Sequence, residues 1–346
     1  MNTVYSISTT TATMVMSIIS GVYGIGSTFY SNLFIDLPVP QTNVDLSDEI
    51  MIVSGSNTGL GFEASQHLLR LGVGKLIMAV RSLDKGEKAR DDLLKLTKRT
   101  PESIEVWYLD MANYESVKSF AARALSELPR IDVVLANAGL ATSAEFTMAE
   151  DNERTITVNV VSTFLLFFLL LPKLQRSSFP GKFVIPNSAT HYWAPFKELV
   201  PSAKAGPIFS RLNDPKASNM AARYYVSKLI VLYLVRELAA RLGESEKSNV
   251  VINTPNPSYC KSDLLREMES SAPPDFLART PEMGSRALVA GVLAGPESNG
   301  KYMTNCHVRE PACHVTNQTG AKISSAMFEE LMAKLEIISP GVTKGL

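Results

Sequence analysis

The chain has 346 residues, and its 34 Lys and Arg balance 34 Asp and Glu, giving a formal charge of zero at pH 7. That length allows one large core or two small ones, and the balanced charge argues against the basic face that nucleic acid needs. The three cysteines, Cys260, Cys306 and Cys313, are an odd, sparse set that fits a reducing, cytoplasmic compartment better than a disulfide framework.

No side-chain charge precedes Asp36. The stretch from Met14 to Phe34 is long enough to span a bilayer, but Ser, Gly and Thr dilute it and no basic start marks a signal peptide. Residues 1–44 therefore read as an N-terminal tail, either loose or touching a membrane through residues 14–34. A single domain is expected over residues 45–346.

From Ile50 onward, short β-branched runs bounded by Gly, Asn or Pro alternate with longer amphipathic segments. The first strand, IMIVSG, leads through SGSNTGLG into a helix over FEASQHLLRLG. That turn carries Gly55, Gly59 and Gly61, and glycine there lets the backbone approach a pyrophosphate at the helix N-terminus. The second strand, KLIMAV, ends at Arg81 with no acid in AVRS. An arginine at that point suits a 2′-phosphate, where a carboxylate would suit a ribose.

A charged helix from Asp84 to about Lys98 follows, and then the strand SIEVWYLD, ending in Asp110. Asp110 is placed to accept from an adenine amino group or to cap the next helix, ESVKSFAARALSEL. The fourth strand, in IDVVLANAG, ends at Asn137, Ala138 and Gly139. The run VVSTFLLFFLLLP is too short for a membrane span and reads as a buried helix ending at Pro172. GKFVIPNS ends in Ser188, NVVINTPNP leads into NPSYCKSD, and GKYMTN completes the strands.

Strands this apolar, alternating with helices, belong in a doubly wound parallel sheet with right-handed crossovers. Such sheets bind ligands beyond the carboxyl ends of their strands. The residues from His191 to Met220, rich in Pro, Ser and aromatics, read as a long loop inserted over the substrate pocket, with Tyr192 and Trp193 as walls. Leu264 to Leu277 reads as the opposite wall.

In AARYYVSKLIVLYL, Lys228 shares a helix face with Tyr224 at i+4 and with Tyr225 at i+3. A neighbouring ammonium favours the phenolate and so lowers a tyrosine pKa toward the range useful for proton exchange. Spacing alone leaves both tyrosines as candidates. The apolar circumference of LIVLYLVRELAARL requires burial on more than one side.

SGSNTGLG, ANAG, Asn159, Ser188 and Tyr224-x-x-x-Lys228, in this order, resemble the short-chain dehydrogenase/reductase family over roughly residues 45 to 340. AVRSLDKGEKA, YYVSKL, VRELA and NPSYCKSDLLRE look like its fungal secondary-metabolite branch, distantly similar to retinol dehydrogenases. The resemblance implies a Rossmann-type sheet and catalysis by Asn159, Ser188, Tyr224 and Lys228. It selects Tyr224 as the acid, with Ser188 on the same substrate oxygen, Lys228 on the nicotinamide ribose and Asn159 in a proton relay. It implies NADP(H) held by Gly55, Ser56, Asn57, Thr58, Gly59, Leu60 and Gly61, by Arg81, Asp110, Asn137, Ala138 and Gly139, and by Tyr224, Lys228, Pro257 and Ser262. It also implies a homo-oligomer formed through the Tyr224 helix.

Three departures from the family stand out. Ser54 replaces the usual threonine, Ser258 stands where glycine is preferred, and the insertion before Tyr224 is long. The expected function is an NADP(H)-dependent oxidoreductase interconverting a ketone or aldehyde and an alcohol on a bulky apolar metabolite. The alternatives are an isomerase, cyclase or dehydratase on the same fold, or a non-catalytic nucleotide-binding protein. CHVREPACH lacks the tight ligand pairs and second cluster of a zinc site, so no metal is expected.

Overall fold

The computed structural model describes residues 19–142, 145–243, 249–261, 264 and 274–346. Among the described residues, ten strands run β1 (Ile50–Ser54), β2 (Lys75–Val80), β3 (Ile104–Tyr108), β4 (Val133–Leu135), β5 (Met148–Ala149), β6 (Asn152–Glu153), β7 (Gly181–Val184), β8 (Val250–Asn256), β9 (Tyr302–Thr304) and β10 (His307–Arg309). Eight of them form one sheet in the order β10-β9-β8-β7-β4-β1-β2-β3, parallel except for the edge strand β10. This is the expected doubly wound sheet. The order runs outward in both directions from β1 and β4, so the strand-end crevice opens between them. The edge strand β10 and the short β5–β6 hairpin were not expected from the sequence.

Burial on both faces explains the apolar strands. Ile50, Ile52, Ile77 and Ala79 enter one core, whereas Met51, Val53, Leu76 and Met78 enter the other. The helices are α1 (residues 19–34), α2 (Gly59–Arg70), α3 (Leu83–Thr97), α4 (Tyr114–Glu127), α5 (Arg154–Ile156), α6 (Ser162–Leu174), α7 (Ile208–Leu212), α8 (Met220–Gly243), α9 (Pro281–Leu293), α10 (Cys313–Thr316) and α11 (Gln318–Ile338). Helices α2 and α9 pack on each other over one core, and α4, α6, α8 and α11 pack over the other.

Between α5 and α6 lies a π-helical turn, Thr157–Val161, which makes one continuous helix of the three. The apolar run reads correctly as a buried helix, but it passes Pro172 and ends at Leu174. A proline in the last turn removes one hydrogen bond without ending the helix at that residue.

Every residue of α8 from Val226 to Val235 is buried within the single chain, with α11 packed along it. The apolar circumference that suggested a subunit interface is thus covered by the chain's own C-terminal helix. The expected long loop is likewise partly built: it holds α7 and buries Ala194, Phe196, Leu199, Ile208, Phe209 and Leu212 in the larger core. Arg223, fully buried, ties it down by donating to the Leu212 carbonyl (3.1 Å) and Ser218 Oγ (2.7 Å). Residues 19–34, expected as part of a loose or membrane-touching tail, form α1, which packs against the domain through Gly21 and Gly24.

Candidate active site

The glycine turn after β1 is built for close approach. Gly55 and Gly59 have φ of +65° and +56°, the left-handed region that side chains disfavour. A Cβ at Gly61 would lie 2.3 Å from the Gly55 carbonyl oxygen, so only glycine fits. Asn137 Nδ2 donates to the Ser54 and Gly55 carbonyls (3.0 and 3.3 Å), and Ser54 Oγ accepts from the Ala138 amide (2.9 Å). The serine at position 54 therefore does the bridging work of a hydroxyl between β1 and β4.

Ser56 Oγ is buried without a hydrogen-bond partner in this turn, and α2 starts with no side-chain cap. Orphaned donors at a helix N-terminus beside a glycine cradle fit a phosphate. Arg81 stands exposed just past β2, outside any ion pair among the described residues. Asp110 accepts from the Ala112 amide (2.9 Å), while the cap of α4 is Asn113. The cap alternative for Asp110 is therefore set aside. Pro257 lies on the other side of the crevice. Ser262 lies outside the described residues.

The π-helical turn presents Asn159. Its side chain exchanges hydrogen bonds with both the amide and the carbonyl of Leu140, each 2.8 Å, and donates to Ser227 Oγ (3.0 Å). Such π-bulges frequently mark functional sites. Ser227 Oγ in turn donates to the Tyr224 carbonyl (2.7 Å). Neither Leu140 nor Ser227 was singled out from the sequence, because the contact depends on a local register the helical pattern does not reveal.

Ser188 begins a 3-10 turn after β7, and its position is set by Asn187, whose side chain accepts from the Ser188 amide (2.7 Å) and donates to the Lys228 carbonyl (3.1 Å). Tyr224 is buried beside Ser188. Lys228 Nζ donates to the Pro186 carbonyl (2.7 Å) and lies 5.6 Å from the centroid of the Tyr224 ring. The structure thus gathers Ser188, Tyr224 and Lys228 at one point, with Asn159 joined to the Tyr224 backbone through Ser227.

The ionisation of this group departs from expectation. Burial pushes the Tyr224 phenol up to about 12, against a smaller downward effect of Ser188, and burial pulls the Lys228 ammonium down to about 8. Desolvation dominates at Tyr224, and Lys228 spends a hydrogen bond on the Pro186 carbonyl. Tyr224 therefore keeps its proton at neutral pH.

These residues open onto one cavity of about 420 Å³. Asn137, Gly139, Ser188, Tyr224, Lys228 and Pro257 line it, so the candidate catalytic and candidate nucleotide-side residues share a single space. Trp193, Leu264 and Leu277 are walls, as expected. Tyr225 is a wall too, its ring 6.3 Å edge-on from Trp193. Tyr192, expected as a wall, is instead a buried post whose hydroxyl donates to the Glu310 carbonyl (3.1 Å). Ile25, Thr28, Phe29 and Asn32 of α1 also line the cavity. Sequence reading missed them; the usable signal was Gly21 and Gly24, small residues three apart where a helix meets close neighbours.

Ser258 lines the cavity with φ of +67°, which explains the preference for glycine at this position. Its amide donates to Asn256 Oδ1 (2.9 Å), which holds the strained residue in place.

The short chain dehydrogenase model matches residues 49–195. The short chain dehydrogenase/reductase dmxR8 of Cryptosporiopsis sp. (strain 8999) is 43% identical over 323 residues, covering 91% of this chain and 98% of its own. The short-chain dehydrogenase anuD of Penicillium roqueforti (strain FM164) is 40% identical over 330 residues, covering 91% and 84%. Among solved structures, a short chain dehydrogenase from Escherichia coli CFT073, complexed with NADPH, aligns with a TM-score of 0.56 at 21% identity, covering 77% of this chain and 99% of that one.

Proposed function

The chain belongs to the short-chain dehydrogenase/reductase family, and from that membership we propose an NADP(H)-dependent oxidoreductase. It interconverts a ketone or aldehyde and an alcohol on a bulky apolar metabolite, in secondary-metabolite biosynthesis. The observation that carries the reading is that Ser188, Tyr224 and Lys228 face the same apolar cavity as Asn137 and Pro257.

A bound nicotinamide cofactor supplies or takes the hydride at the carbonyl carbon. The chain's own residues handle the oxygen. Tyr224 holds a proton at its phenol oxygen and gives it to the substrate oxygen as charge grows there, and Ser188 donates a hydrogen bond to that oxygen. Lys228 sets a positive charge beneath the site, and Asn159 holds the helix and the Leu140 loop in register. For the cofactor, the Gly55–Gly61 turn and orphaned Ser56 fit a pyrophosphate, and exposed Arg81 fits a 2′-phosphate. The NADPH complex of the Escherichia coli relative supports the same fit. A homo-oligomer would need a surface other than the covered middle of α8.

The test is fluorescence titration with NADPH and NADH in parallel, on wild type and Arg81→Ala. NADPH is expected to bind more tightly, with the preference reduced about tenfold or more in the variant. Equal binding of both nucleotides sinks the Arg81 assignment. Binding of neither sinks the redox reading.

A further inference from the structure

Helix α1 touches both loops that flank the catalytic residues. On the Ser188 side, Gly24 sits against Tyr192, where an added Cβ would come within 2.4 Å of the Tyr192 Cβ, and Gly21 faces Trp193. The Tyr23 ring packs edge-on against Tyr192 at 5.5 Å. On the Pro257 side, Asn32 Nδ2 donates to the carbonyls of Tyr259 and Leu277, both 2.7 Å. Its end is fastened as well. Buried Arg279 donates to the Ser31 and Ile35 carbonyls (2.9 and 3.3 Å) and to the Pro257 carbonyl (3.3 Å). A cation there supplies donors to carbonyls at the end of the helix and complements its negative pole.

Ile25, Thr28, Phe29 and Asn32 recur at i, i+3, i+4 and i+7, so they form one face, and that face lines the cavity opposite Tyr224 and Tyr225. A helix merely parked on the surface would have no reason to be tied at Asn32 and Arg279 to the two loops that shape the cavity. We propose that α1 is the roof of the substrate pocket and sets its preference for apolar ring systems, with Phe29 closing an aromatic slot against Trp193 and Tyr225. This rests on the cavity being the substrate site argued above.

The test uses the full chain without nucleotide, titrated with 9,10-phenanthrenequinone while tryptophan emission is followed. Trp107 is 2% exposed in the core and Trp193 lines the cavity, so saturable quenching reports the cavity. Wild type is expected to bind the quinone. Phe29→Ala should raise the dissociation constant about tenfold, the order expected for one lost aromatic contact. Gly24→Val, which cannot seat against Tyr192, should raise it further. Phe29 is 41% exposed, so its variant keeps the fold and decides the question if Gly24→Val does not fold. Unchanged constants in Phe29→Ala, or a wild type with no saturable quenching, overturn the proposal. Quinone binding in a chain that binds no NADPH overturns the redox reading instead and leaves the roof intact.

Discussion

Asn159 and Leu140 are joined by two reciprocal hydrogen bonds of 2.8 Å, the side-chain amide of one copying a backbone partner for the other. This clasp holds the strand-end segment after β4 to the π-helical turn, and Ser227 extends it to the Tyr224 helix. Asn159→Ala leaves the Leu140 amide and carbonyl without partners. A loss of about 2–4 kcal/mol is expected from two stranded groups, with turnover reduced at least tenfold. Urea unfolding and steady-state kinetics on the same preparation check both parts. An unchanged midpoint would mean that water replaces the clasp at no cost.

Tyr224 and Tyr225 are neighbours with rings 6.1 Å apart, yet only Tyr224 is buried against Ser188. Tyr224→Phe removes the protonated donor and should cost about 100-fold or more in turnover. Tyr225→Phe keeps the ring that packs on Trp193 and should retain most activity. Loss of activity in Tyr225→Phe with survival of Tyr224→Phe would reverse the assignment.

Much of this site was legible in the sequence because its requirements are local. A left-handed turn needs glycine at 55 and 59, and a tyrosine and lysine four apart on a helix must share a face. The roof was illegible because its cause is tertiary. An uncharged helix reads alike as tail, anchor or wall until Arg279 and Tyr259, more than two hundred positions away, supply its partners. The ionisation of Tyr224 was misread for a related reason. Spacing shows that Lys228 is near, but it does not show that both groups are buried or that Pro186 takes the ammonium's hydrogen bond.

Lys228 gives a pH signature of definite sign. Its pKa falls from 10.5 unfolded to about 8 folded, so between these values the unfolded chain binds more protons. Stability therefore rises with pH from about 8 to 10.5, and the contribution is lost as pH falls through that window. Tyr224 acts oppositely only above its ordinary value near 10. Relative to Lys228→Met, in which this titration is absent, wild type should gain up to ~3 kcal/mol across the window. Wild-type turnover should decline as pH rises through about 8, where the folded protein loses the ammonium. Parallel pH dependence of unfolding in the two proteins would show that Lys228 is not desolvated.

Ser258 holds φ of +67° in the cavity wall, a conformation in which its Cβ crowds the following carbonyl. Glycine removes that cost but adds freedom to the unfolded chain, so the two effects partly cancel. The left-handed penalty of roughly 1–2 kcal/mol exceeds the entropy term, and Ser258→Gly should stabilise the fold by about 0.5–1 kcal/mol. For a chain of this length that is a rise of about 1–2 °C in Tm, read by differential scanning calorimetry. The Asn256 bond goes to the backbone amide and survives the substitution, so the loop keeps its course. A lowered Tm would mean that the serine hydroxyl makes a stabilising contact strong enough to outweigh its strained backbone.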